Sequence, residues 1–82
     1  MWTEGSIKVK ESIIHYWIKH FDENSEFGID GGRISKLMLK KNGRIVANYD
    51  RGWDTLPEGD DAKIAYAILI KEYNYRSMAG AV

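Results

Sequence analysis

Residues 33–50 read RISKLMLKKNGRIVANYD, and how this stretch folds decides the architecture. Asn42-Gly43 divides two apolar-rich runs. An Asn-Gly pair in that setting is the strongest short hairpin signal, because both central residues of a type I′ turn need positive φ. Residues 33–41 therefore make one strand and residues 44–50 its antiparallel partner. A two-residue turn pairs Leu39 with Val46, Leu37 with Asn48 and Ser35 with Asp50, and sets Arg51 opposite Ile34.

Working outward toward the N-terminus, residues 12–21 (SIIHYWIKHF) are rich in β-branched and aromatic side chains and read as a long strand. Residues 5–9 alternate, with Ile7 and Val9 on one face. These two runs make a second hairpin, although Lys10-Glu11 lacks the residues a tight turn prefers and leaves its register open. Between the hairpins lie eleven residues of turn chemistry, DENSEFGIDGG. Toward the C-terminus, RGWDTLPEGD is a second loop. Residues 60–74 are a helix, with Asp60 and Asp61 at the positive end of its dipole. The expected fold is α+β: a four-stranded antiparallel sheet of two hairpins, with one C-terminal helix packed on a face. Residues 1–74 form a single ββββα domain, and 75–82 a C-terminal tail expected to be frayed or ordered by a partner.

The chain has 82 residues, no cysteine, and 12 basic against 12 acidic side chains. So short a domain has a marginal core, and oligomerisation is a common remedy. The helix carries more apolar surface (Ile64, Ala65, Tyr66, Ile68, Leu69, Ile70, Tyr73) than one sheet contact uses. A homo-oligomer is therefore expected, unless the tail or the second strand covers the excess. Balanced charge argues against direct nucleic-acid binding, which usually needs a basic excess. Lys40, Lys41 and Arg44 at the hairpin tip are the most basic spot, and lysines there also serve as protection against aggregation. No apolar run is long enough to span a membrane. With no export signal and no cysteine, the cytoplasm is the expected compartment.

The run EFGIDGGRISKLMLKKNGRIVANYDRGWDTLP at 26–57, with LIKEYN at 69–74, resembles a family of small bacterial and phage-borne proteins of unknown function. The resemblance spans nearly the whole chain and rests on FGIDGGRISKL and NYDRGWD. It implies no activity. A phage-borne setting implies an accessory role against host defence.

Two surfaces stand out. The first is the loop end of the third and fourth strands, where GIDGGR and DRGWD emerge together. Consecutive N–H groups around Asp30, Gly31 and Gly32 can form an anion nest. Arg33 and Arg51 can fork onto a phosphate, Trp53 can stack on a base, and Asn48, Asp30 and Asp50 can take sugar or base donors. Equally, the charges can staple the two loops together, with Trp53 as a core plug. The second surface is a face of the second strand. If Ile14, Tyr16 and Ile18 face the helix, then Ile13, His15, Trp17, Lys19 and Phe21 face away, an aromatic and basic set suited to a partner.

Catalysis finds little support. His15 and His20 point to opposite sides of one strand and cannot share a metal or a proton relay. The serines lack a nucleophile-elbow context, and arginines neighbour the carboxylates that would hold Mg²⁺. The sequence therefore leads to a non-enzymatic binding protein, with no cofactor and no metal, that sequesters a nucleotide-like signal at the loop end. The alternatives are a protein-binding inhibitor of a host defence nuclease complex, acting through His15, Trp17, Lys19 and Phe21 or through the acidic stretches Asp22-Glu23 and Glu58 to Asp61 in mimicry of DNA, and a structural dimerisation module.

Overall fold

The computed structural model describes residues 2–74; the tail expected at 75–82 lies outside the described residues. Five strands follow one another as an antiparallel meander in the order β1 (Trp2–Val9), β2 (Ser12–His20), β3 (Ile34–Lys41), β4 (Arg44–Asp50) and β5 (Trp53–Thr55). A helix, α1 (Asp60–Leu69), crosses one side of the sheet and ends in a π-helical turn at Ile70–Asn74.

The sheet has five strands where four were expected. After Asp50 the chain reverses at Arg51-Gly52, with Arg51 at φ 60 and the Asp50 N–H donating to Gly52 O at 2.9 Å. Residues 53–55 then pair back onto β4. Three residues are too few to show alternation, so this edge strand leaves no periodic signal in the sequence. Packing fixes it instead: the Trp53 ring stands edge-on to Tyr49 at 5.0 Å and to Tyr66 of the helix at 5.4 Å. β1 also begins three residues earlier than the alternation at 5–9 implied. Its turn onto β2 is two residues long, with Lys10 supplying φ 57.

The Asn42-Gly43 turn forms as expected, with φ values of 53 and 76. The register beyond it does not. Lys41 pairs with Arg44 and Lys40 with Ile45, but a bulge at Val46 then sets Leu39 against Ala47, Leu37 against Tyr49 and Lys36 against Asp50. One inserted residue exchanges the faces of everything after it. Tyr49 thereby enters the core, and Asn48 and Asp50 move to the side away from the helix. The bulge has a packing reason, since it lets both Val46 and Ala47 be buried under α1.

The core lies between sheet and helix. Ile14, Ile18, Leu37 and Leu39 are fully buried beneath Ala62, Ala65 and Leu69 of the helix. Those three follow helical spacing, and the two alanines allow close approach. Burying each large aliphatic side chain contributes about 1.5–3 kcal/mol. The helix start is tied down by Asp61, whose Oδ2 accepts from Ser12 Oγ at 2.5 Å and from Lys41 Nζ at 3.2 Å. Ile64 and Ile68 remain 41% and 47% exposed on the outer side of the helix. Among the described residues no helix is long and apolar enough to cross a membrane.

Candidate binding surface

GIDGGR is the socket for the end of the helix. Ile29 is buried, and a single 3₁₀ turn (Ile29–Gly31) puts Asp30 and Gly31 at φ 52 and 69. The N–H groups of Gly31 and Gly32 are already used, donating to Gly28 O at 3.0 Å and Ile29 O at 2.8 Å. The wholly buried Asn74 amide then bridges the loop: Oδ1 accepts from Ile34 N at 2.8 Å and Nδ2 donates to Ile29 O at 2.9 Å. That amide sits directly against Gly32, where any Cβ would overlap it. Arg33 donates from Nη2 to Tyr73 O at 3.1 Å, placing a cation on a carbonyl of the last turn, where the helix dipole favours it.

DRGWD is divided by the plane of the sheet. Trp53 lies on the helix side against Tyr49 and Tyr66. The Tyr49 hydroxyl donates to Phe27 O at 2.8 Å, and burial, with the Asp30 charge second, raises its pKa. Asn48 and Asp50 lie on the other side, where Asn48 donates to Asp54 at 3.4 Å and Asp50 pairs with Lys36 at 3.8 Å. The Arg51 guanidinium lies 5.0 Å above the Phe27 ring. The eight residues expected at the loop end therefore serve three places: Asp30, Gly31, Gly32 and Arg33 the helix socket, Trp53 the helix side, and Asn48, Asp50 and Arg51 the far side of the sheet.

On that far side no element of the described chain covers the sheet. Residues opposite one another across strands share a face, so the register spells out the surface in rows. Trp2, Lys19, Lys36 and Asp50 make one row; Glu4, Trp17, Met38 and Asn48 the next; Ser6, His15, Lys40 and Ile45 a third. Successive rows are about 6.7 Å apart, two residues along the strands. His15, Trp17 and Lys19 stand here as expected, and Phe21 follows directly after β2 on the same side, its ring below Lys19. His20 is on the other side, hydrogen-bonded to Thr3 Oγ1 at 3.1 Å and packed near Tyr73, and burial lowers its pKa.

Trp2, Phe21 and Trp17 each lie against a lysine ammonium. Lys19 Nζ lies 5.9 Å from the Trp2 ring and 5.6 Å from the Phe21 ring, and Lys40 Nζ lies 5.7 Å from Trp17. Two depressions run across the surface. One, of about 440 Å³, is walled by Trp2, Trp17, Met38 and Lys40; the other, of about 320 Å³, by Phe21, Phe27 and Arg51. Lys36 borders both. Sequence reasoning passed over Trp2 and Phe27, and did not place Lys36, Met38 and Lys40 on this face. Period-two alternation along residues 34–41 would have set the last three beside Trp17, once the two hairpins were known to be neighbours.

Among the described residues no three of His, Asp or Glu gather as metal ligands. Comparison with the curated proteins and with the solved structures gives no significant match. A family model described as a domain of unknown function (DUF7678) matches residues 1–74, which takes in the sheet, the helix and the socket that joins them; the chain belongs to that family.

Proposed function

We propose that this protein is a binding module that performs no chemistry, and that its ligand lies on the open face of the sheet. The observation that carries this reading is the coupling of Trp2, Phe21 and Trp17 to lysine ammonium groups at 5.6–5.9 Å, on a side that the rest of the described chain leaves bare. A ring beside a cation suits a ligand that is itself a ring beside an anion. The base takes the aromatic face and the phosphate takes the ammonium. A nucleotide has that form. Sequestration of such a ligand needs no catalytic group, so the reading accommodates the phage-borne, anti-defence setting that the family resemblance implies.

The socket chemistry favours the open face over the loop end, because Arg33, Gly32 and the loop N–H groups are engaged with the chain itself. A thermal-shift series with mono-, di- and cyclic nucleotides tests the reading. A ligand at 100 times its dissociation constant adds about 2.7 kcal/mol to the folded state, a shift of many degrees for a domain of this size. Trp17→Ala abolishes the shift. Arg33→Ala lowers the melting temperature but leaves the ligand-induced increment intact. The reverse pattern would return the site to the loops.

A second reading is favoured by Ile13 and Ile45, 46% and 41% exposed at the far end of the same face. Aliphatic side chains there add apolar area that a protein partner would use. That reading predicts no response to any nucleotide and loss of partner capture in Trp17→Ala.

A further inference from the structure

Lysines are not spread evenly over this neutral chain. β2 and β3, the strands at the middle of the open face, contain no carboxylate at all: their sequences are SIIHYWIKH and ISKLMLKK. The acids of the open face stand on flanking strands, Glu4 on β1, Asp50 on β4 and Asp54 on β5, with Asp50 held by Lys36 and Asp54 hydrogen-bonded by Asn48. Other acids lie elsewhere, among them Asp22, Glu23 and Glu26 after β2 and Asp60 and Asp61 at the start of the helix. Zero net charge thus conceals a sheet whose two central strands carry cations and no carboxylate.

The cationic centre is also a track. Lys19 and Lys36 face each other across β2 and β3, and Lys40 follows two rows on. Aromatics flank the line, Trp2 and Phe21 at one end and Trp17 in the next row. Lys36 stands between two depressions, one beside Phe27 and Arg51 and the other beside Trp17 and Lys40. One mononucleotide would fill only one ring-and-ammonium pair. The repeat of the pair in the next row is an arrangement for a repeating ligand.

We infer that the open face binds single-stranded nucleic acid across at least two nucleotides, one base on Trp17 and another in the Trp2–Phe21 pair, with phosphates on Lys19, Lys36 and Lys40. This rests on the reading of the open face as a nucleotide-binding surface. Charge complementarity commits the face to a polyanion, and the rings commit it to one with unpaired bases. Each lysine leaves the π-face that it shields in the free protein as a base takes its place, and moves to the phosphate beside it. A duplex, whose bases are already stacked, offers the rings nothing.

The test is fluorescence anisotropy with a labelled eight-nucleotide oligothymidylate, competed by the one-, two- and four-nucleotide forms and by a duplex of equal length. The expected result is affinity that rises at least tenfold from one nucleotide to four, with the duplex a weak competitor. Trp17→Ala weakens binding roughly tenfold or more, and Trp17→Phe restores most of it. The logarithm of affinity falls linearly with the logarithm of salt concentration, and Lys36→Gln reduces that slope by about 0.7. Circular dichroism establishes that each variant is folded. If the mononucleotide competes as well as the four-nucleotide form, the single-strand inference fails while the nucleotide reading stands. If the duplex competes equally, the contact is only electrostatic and the inference fails. If neither nucleotide nor oligonucleotide binds the wild-type protein, both fail, and the face belongs to a protein partner.

Discussion

On the covered side of the sheet Ile14, Ile18, Leu37 and Leu39 are wholly buried. On the open side their immediate neighbours in sequence, Ile13, Trp17, Lys19, Met38 and Lys40, remain wholly or partly exposed. The same backbone carries both sets, and alternation alone separates them. The covered side is a packed apolar layer, aliphatic at its centre with Tyr49 beside it, and closed at both ends of the helix by polar latches. The open side is mixed, with rings and ammonium groups paired at distances that packing does not require. A side chain that holds the fold together is replaceable only at the expense of stability. A side chain that stabilises little yet sits in an organised array points to a ligand.

The sharpest way to break this contrast is to delete volume on each side in turn. Leu37→Ala should destabilise the protein by about 2–5 kcal/mol in urea denaturation. Met38→Ala, one residue along on the open face, should cost less than about 1 kcal/mol. Equal losses would mean that something covers the open face in solution. Next in size is the helix socket. Asn74→Ala leaves Ile34 N–H and Ile29 C=O buried without their partner, and each such group costs about 1–3 kcal/mol. Gly32→Ala should be of similar severity, because its Cβ meets the same amide. Neither change should alter the ligand response of whatever fraction remains folded.

The third test is acid titration of the other latch. The Ser12 hydroxyl, followed by Lys41, holds the Asp61 carboxyl below its ordinary value of 3.8. A folded-state pKa below the unfolded one stabilises the fold above the unfolded value and is lost as pH falls through the folded one. The melting temperature of the wild type should therefore exceed that of Asp61→Asn at neutral pH, and the gap should close as the pH drops below about 4. The smallest effect is expected at Lys19→Gln, within about 0.5–1 kcal/mol in thermal melts, since exposed cation–π pairs contribute no more. Its consequence should be seen in binding.

Alternation and turn chemistry were enough to read the hairpins, the helix and the division of β2 into two faces. Asn42-Gly43 forced its turn by positive φ, and β2 was marked by its β-branched and aromatic bulk. The bulge at Val46 and the short β5 were not legible, because both depend on which side chains the helix can accommodate from across the sheet. The site shared that limit. GIDGGR looked like an anion loop because glycines and an arginine are what such loops contain. Its actual function depends on Asn74, some forty residues away, whose amide needs Gly32 bare and Ile34 N–H free. The open face was half visible, in His15, Trp17, Lys19 and Phe21. Its other half comes from β1 and β3, and joins them only once the register between the hairpins is set.

Tryptophan positions make the central comparison directly measurable. The chain has three tryptophans; Trp2 and Trp17 mark the open face, and Trp53 marks the helix side. A ¹H–¹⁵N spectrum resolves their indole N–H signals, and a titration with a short single-stranded oligonucleotide follows all three together. The account predicts that Trp2 and Trp17 shift progressively while Trp53 stays in place. Movement of Trp53 with Trp2 and Trp17 unmoved would contradict it, and would put the binding site at the loops beside the helix.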